Sequence, residues 1–357
     1  MNQYLSVKLK VISLISMIMV VFLHSSNITM KFNSGNLNFN NKYNLIIQTF
    51  ISEGITRIAV PIFFCISGYL FFLNFKGNIN EFITKYQKRA RSLLIPYLLW
   101  SVWGLVFYFV LQTLPQSKNF FTKELIINYS FGQILDAIFI NPIPYQLWFI
   151  RDLIILVVFS PVIYWLIKRF KIIPILSLFI IWLDLFPINL TIPSSEAVLY
   201  FSLGAYLSLY KSDYLTQKLN QKTYILFFCL WILLVFIKTI NFYDSHEMST
   251  SAILLHKISI VIGMLALWSV YDIYLSKYSS IEYIIYLSQF SFFLYAFHEP
   301  ILTIVNKGLF YLAGASEIAS IVIYFVAPIL TIFSGIILGS FLKKYCLKFY
   351  ELITGAR

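Results

Sequence analysis

Charge is scarce in this chain, and cysteine scarcer. Only 12% of its 357 residues are charged, against about 25% in a soluble globular domain, so no sizeable soluble domain fits within it. The three cysteines, Cys65, Cys229 and Cys346, show no metal-ligand spacing and suggest no disulfide framework. Cys65 and Cys229 lie in apolar stretches and read as inert packing residues. A phosphate-cradling glycine loop, a zinc pattern and a nucleophile elbow are all missing, which leaves none of the common soluble-enzyme signatures. No repeat of fixed period is visible, and that weakens a transporter reading. Histidine occurs only four times, so the position of each is informative.

What the chain does have is long apolar runs, with 59% hydrophobic residues. Runs near the 17–25 residues that cross a bilayer fall at 8–27, 55–75, 92–112, 148–167, 171–189, 195–210, 222–241, 252–273, 283–305 and 318–342. The fifth of them contains Asp184 and Pro187. These runs predict an all-α, polytopic membrane helix bundle of about ten transmembrane helices, a single domain over residues 1–357 in the cell membrane. Lys8 and Lys10 followed by Val11–Leu23 resemble a secretory signal, but His24-Ser25-Ser26-Asn27 supplies no small-residue cleavage site, so an uncleaved first helix is expected. The net charge of +12 does not point to nucleic acid, because the positives fall between apolar runs rather than along one face. They crowd into alternate connections, such as Lys76, Lys85, Lys88, Arg89 and Arg91, or Lys168, Arg169 and Lys171. That bias predicts cytoplasmic N- and C-termini. Two long outer connections, 28–54 and 113–147, are polar enough to lie in water or cover a cavity mouth.

Within this frame four ionisable residues interrupt apolar segments: His24, Arg151, His256 and His298. Charge in hydrocarbon is costly and usually marks a pathway or a reaction site. At about 1.5 Å rise per residue, His24 lies roughly 20 Å beyond Val11 and His298 roughly 21 Å beyond Ile284, both in the outer third of the bilayer. Arg57, Arg151 with Asp152, His256 with Lys257, and Asp184 fall near the same level, while His246 lies in an outer loop. Arg57 and Lys257 read more simply as cations snorkelling to headgroups, and Arg151 with Asp152 could be a structural anchor. Neighbours on a helix point about 100° apart, so Glu299 cannot orient His298; it could cap, line a cavity mouth or pair with another helix. In the connection after the second span, Lys85, Lys88, Arg89 and Arg91 could bind phosphates. From charge alone, topology and anionic lipid are the readier account of that run. The many aromatics, Trp100, Trp103 and Trp148 among them, fit interface belts and helix packing.

Four stretches taken in order resemble the integral membrane acyltransferase family 3. They are Arg57-Ile-Ala-Val-Pro-Ile-Phe-Phe-Cys-Ile-Ser-Gly-Tyr-Leu70, the Lys88-Arg89-Ala90-Arg91 run leading to Ile95-Pro96-Tyr97-Leu98-Leu99-Trp100, Gln146-Leu147-Trp148-Phe149-Ile150-Arg151-Asp152-Leu153, and Ser288 through Tyr295-Ala296-Phe297-His298-Glu299-Pro300. The resemblance covers essentially the whole chain. It implies transfer of an acyl group, usually acetyl from cytoplasmic acetyl-CoA, to acceptors such as bacterial surface glycans, with no metal. The resemblance further implies that His24 matches the family's essential histidine and that Lys88 and Arg91 stand where a paired-Arg motif contacts the donor. One departure is Ser13, where the family often has Arg; Lys10, a turn lower, is the candidate substitute. No fused hydrolase-like domain follows, so a membrane-only member is expected.

These readings combine into a membrane-bound O-acyltransferase that uses acetyl-CoA or another acyl-CoA and a glycan acceptor. Lys88, Arg89, Arg91 and Lys10 are its candidate donor-binding residues. His24 is the general base, Arg151 or another outer cation stabilises an oxyanion, and His298 shares the proton work or orients the acceptor. A covalent acyl-enzyme relay fits equally well. A proton-coupled transporter or glycan exporter is the alternative, since it also needs intramembrane His, Arg and Asp.

Overall fold

A computed structural model describes residues 2–32, 35–39, 41–115, 121–185, 190–218, 220–245, 250–277 and 281–356. His246 and Pro187 lie outside the described residues. The chain is almost entirely helical. α1 (Gln3–His24) leads into the short antiparallel strands β1 (Thr29–Phe32) and β2 (Gly35–Asn38), with Met30 opposite Leu37. α2 (Lys42–Gln48) continues through a π-helical turn and a 3-10 turn into α3 (Ala59–Phe72). α4 (Ile79–Arg89) continues through a second π-helical turn into α5 (Ile95–Thr113). Then come α6 (Phe131–Phe139), α7 (Trp148–Val158), α8 (Ser160–Phe170), α9 (Ile173–Trp182) and α10 (Ser195–Tyr210). The last are α11 (Gln221–Ser245), α12 (Thr250–Ile273), α13 (Ile281–Ser288), α14 (Ser291–Ala313), α15 (Glu317–Tyr345) and α16 (Leu347–Thr354).

Among the described residues six helical stretches are long and apolar enough to cross a membrane: Gln3–His24, Lys42–Phe72, Ile79–Thr113, Gln221–Phe242, Ser251–Lys277 and Glu317–Tyr345. α7 and α8 make a seventh if they count as one span bent by 61°. The protein is a multi-pass membrane protein, and among the described residues this measure does not confirm the ten spans expected. Among the described residues the expected fifth span holds only the ten-residue α9, whereas the sixth, 195–210, coincides with the sixteen residues of α10. The ninth is divided between α13 and α14, and α14 is itself broken at Glu299.

The second span also starts earlier than its hydropathy predicts. Residues 42–54 are helical rather than an open connection, because their polar side chains find partners. Gln48 Nε2 donates to Asn27 Oδ1 (2.9 Å) and to Asn44 Oδ1 (2.7 Å), and Asn44 Nδ2 donates to Ser320 Oγ (2.8 Å). Buried amides that satisfy one another do not need water.

The chain forms two compact units. One comprises Met1–Met19, Gly54–Ala90 and Asp152–Ser291; the other comprises Val20–Glu53, Arg91–Arg151 and Phe292–Arg357. In the first, α10 packs along α3 and α11 along α12. A Cβ added at Gly68 would lie 2.0 Å from the Phe201 carbonyl oxygen, and one at Gly204 2.0 Å from that of Cys65. Only glycine permits this crossing, as small residues do between membrane helices. In the second, α16 docks on α5, with Trp100 Nε1 donating to the Ile353 carbonyl at 2.9 Å.

Candidate active site

The second unit gathers a polar site from the end of α1, the break in α14 and the turn before α7. His24 is the last residue of α1, where carbonyls have no partner within the helix. Two hydroxyls supply partners there: the Phe22 carbonyl accepts from Ser25 Oγ (2.8 Å) and Ser52 Oγ (2.7 Å). Ser52 Oγ also meets Tyr324 Oη at 2.9 Å. These bonds fix the end of the helix, and with it His24.

The break in α14 follows from Pro300. Its ring disfavours α geometry in the preceding residue, and Glu299 sits at φ −110°, ψ 130°. Proline also has no N–H for the Ala296 carbonyl four residues earlier. Gln146 fills the gap: its Nε2 donates to the carbonyls of Ala296 (3.2 Å) and Glu299 (2.9 Å), and the Tyr295 hydroxyl donates back to the Gln146 carbonyl. His298 lies within this frame, 1% exposed. Its Nδ1 is 2.7 Å from the Tyr295 carbonyl oxygen, a contact that requires Nδ1 to carry the proton. In the neutral ring Nε2 then keeps its lone pair, and it is buried with no hydrogen-bond partner among the described residues. That state suits a base more than a structural group.

His24 and His298 stack, with ring centroids 5.5 Å apart and planes 21° apart. Tyr145 stands edge-on to His24 at 5.1 Å. Its hydroxyl donates to Glu299 Oε1 at 3.4 Å, and Thr303 Oγ1 donates to Oε2 at 2.8 Å. Glu299 is 2% exposed, whereas Tyr145 is 47% exposed. The turn carrying Tyr145 is seated on α5 at Gly104, where an added Cβ would fall 2.1 Å from the Pro144 ring.

Tyr145 also lines a partly open cavity of about 960 Å³ bordered by α5, residues 121–129, α6, the start of α7 and the later half of α14. Two carboxylates in its wall are held by amides. Gln133 Nε2 donates to Glu124 Oε2 at 2.9 Å, and Asn141 Nδ2 to both oxygens of Asp136 at 3.0 and 3.1 Å. Lys123, Arg151 and Lys307 bring positive charge to the wall, and Tyr108, Tyr129 and Trp148 bring ring faces. Arg151 Nη1 donates to the Ile140 carbonyl at 2.8 Å, tying α7 to the end of α6.

The other residues singled out by sequence lie elsewhere. His256 belongs to the first unit, with Nδ1 3.0 Å from Lys238 Nζ, so it does not share a unit with His24 and His298. Lys257 does not simply snorkel: it pairs with Asp184 and donates to the Trp182 carbonyl. Asp152 is buried, its Oδ2 accepting from the Ser194 N–H at 3.0 Å, a structural role. Lys88 and Arg91 are exposed, while Arg89 is half-buried over the Phe71 ring at 5.9 Å. Lys10 is exposed; the buried cation of α1 is Lys8, 2.6 Å from Asp272 Oδ1 and 4.1 Å above the Trp268 ring. Among the described residues no group of three or more His, Cys, Asp or Glu side chains is gathered as a metal site would need. Sequence reasoning missed Tyr145, and it placed Gln146 in a motif without giving it a role. The available signals were the Pro142–Pro144 turn that presents them and the Glu-Pro step that Gln146 repairs.

The family model described as an acyltransferase domain matches residues 8–340. The chain belongs to this acyltransferase family. The chain is 30% identical over 168 residues to the succinoglycan biosynthesis protein ExoH of Rhizobium meliloti (strain 1021), a match that covers 46% of this chain and 44% of that protein. The chain thus spans less than half the length of the curated relative it matches. No solved structure matches it.

Proposed function

We propose that this acyltransferase is a single-domain O-acyltransferase that moves acetyl from cytoplasmic acetyl-CoA to a hydroxyl of a surface or exported glycan. The observation that carries the reading is the stacked His24–His298 pair, in which His298 Nε2 is buried with no hydrogen-bond partner among the described residues. His24, at the helix end beside Tyr145, takes the proton of the acceptor hydroxyl. The acceptor oxygen bonds to the thioester carbonyl carbon, the C–S bond breaks, and CoA leaves as a thiolate that is then protonated. His298 orients the pair and shares the proton, and Arg151 balances negative charge on the carbonyl oxygen. Lys88, Arg89, Arg91 and Lys10 hold the CoA phosphates on the cytoplasmic side, with both termini on that side. The family match supports acyl transfer, and the ExoH relative, named for succinoglycan biosynthesis, supports a glycan acceptor.

The test is CoA release and radiolabelled acetyl transfer by purified protein in nanodiscs. His24→Ala and His298→Ala should each lose about 10²–10⁴-fold in transfer while still inserting. A fully active His24→Ala protein would sink the assignment. Folded wild-type protein that neither binds nor turns over acetyl-CoA would favour an exporter.

A further inference from the structure

Resting on the acyl-transfer reading, we propose that the cavity of about 960 Å³ is the acceptor subsite for an oligosaccharide segment, and that Tyr145, held by Glu299, positions the sugar against His24. The volume lies at the upper end of the roughly 300–1,000 Å³ of small-molecule sites, more than a lone small alcohol fills. Its wall matches a hydroxyl-rich ligand that is apolar on its ring faces. Carbohydrate hydroxyls both donate and accept. The Glu124–Gln133 and Asp136–Asn141 pairs offer pre-oriented acceptors, since each amide fixes its carboxylate before any ligand arrives. The rings of Tyr108 and Trp148 supply flat apolar surface in the same wall.

Tyr145 connects this cavity to the chemistry. It lines the cavity, stands edge-on to His24 at 5.1 Å, and donates its hydroxyl proton to Glu299 Oε1. With the proton so committed, the phenol oxygen keeps a lone pair for a sugar hydroxyl beside the reacting one. Thr303 on the other carboxylate oxygen, and the Gln146 bond to the Glu299 carbonyl, hold the tether in place. Tyr145 is therefore an acceptor-positioning residue, with Glu299 acting through it.

Gly308 provides a test that does not disturb packing. It lies in the cavity wall, and a Cβ added there meets nothing within 4 Å. Leucine also favours a helix over glycine by roughly 1 kcal/mol, so Gly308→Leu should fold while filling the cavity. The assay uses acetyl-CoA as donor and, as acceptor, oligosaccharide cut from the source strain's envelope glycan and stripped of esters with mild base. Gly308→Leu and Tyr145→Phe should each raise the oligosaccharide KM about tenfold, equivalent to about 1.4 kcal/mol, with a smaller change in the acetyl-CoA KM. Glu299→Gln, which still accepts from Tyr145, should retain more of the wild-type oligosaccharide KM than Glu299→Ala. A rise in the acetyl-CoA KM at constant oligosaccharide KM would overturn the inference by giving the cavity to the donor, and unchanged values in both would overturn it outright. A wild type that releases no CoA and esterifies no glycan sinks the acyl-transfer reading itself, an outcome separate from either of these.

Discussion

At the scale of single residues, depth in the sequence says which groups could meet, but not which do. His24 and His298 are separated by most of the chain, yet they stack because the end of one helix and the break in another lie side by side within one unit. If they work as one unit, the double alanine variant should transfer little worse than either single variant; multiplied losses would indicate two independent roles. Lys8 teaches the converse. Sequence sets it with Lys10 as a flanking charge, but α1 begins at Gln3, so Lys8 lies a turn inside the helix and is fully buried. Removing one partner of a buried ion pair leaves an uncompensated charge. Lys8→Met should therefore destabilise by about 3–5 kcal/mol, and the Lys8→Met/Asp272→Leu double variant should recover most of the loss. Thermal unfolding of the detergent-solubilised protein reads both.

Among elements, the break in α14 is the part hydropathy could not reveal. The apolar run 283–305 resumes with Ile301-Leu302 directly after His298-Glu299-Pro300, so an average over a span length reads it as one segment. The Glu-Pro step predicts a local departure from α geometry, but not that the polar groups so exposed would be met by Gln146 from another element. Gln146→Leu leaves those two carbonyls without this donor in a buried setting. The expected cost is about 1–3 kcal/mol, with a further loss of transfer because Glu299 and Tyr145 lose their frame. A stable but inactive variant, or the reverse, would separate the two effects in a paired measurement of Tm and acetyl transfer. Residues 42–54 fail as an open connection for a related reason: a window average counts Asn44 and Gln48 as polar, whereas the fold pairs them with Asn27 and Ser320.

For the whole molecule, the proposed donor side rests on charge that faces outward. Lys88 and Arg91 are exposed on the helical stretch 79–113, and Arg89 between them is half-buried against Phe71. Charge reversal at Lys88 and Arg91 should raise the acetyl-CoA KM about tenfold or more at low salt, an effect that weakens as ionic strength screens it. Arg89→Glu should instead lower the yield of folded protein, since it sets a carboxylate against an aromatic ring. An unchanged acetyl-CoA KM on charge reversal at all three positions would mean that the run serves topology alone.

The sequence by itself determined that this is a multi-pass, nearly all-helical membrane protein of an acyltransferase type, because apolar run length and ordered motifs are local properties that survive without coordinates. It also singled out His24 and His298, since an imidazole in hydrocarbon stands out in a chain with few ionisable groups. Only the tertiary structure decided that His256 belongs with Lys238 and Lys257 with Asp184, and that a tyrosine from an otherwise unremarked turn joins the histidine pair to a cavity. Those outcomes depend on which polar group finds which partner across long sequence separations. Burial makes each such choice energetically decisive, and partners such as Lys257 and Asp184, 73 residues apart, share no window along the chain.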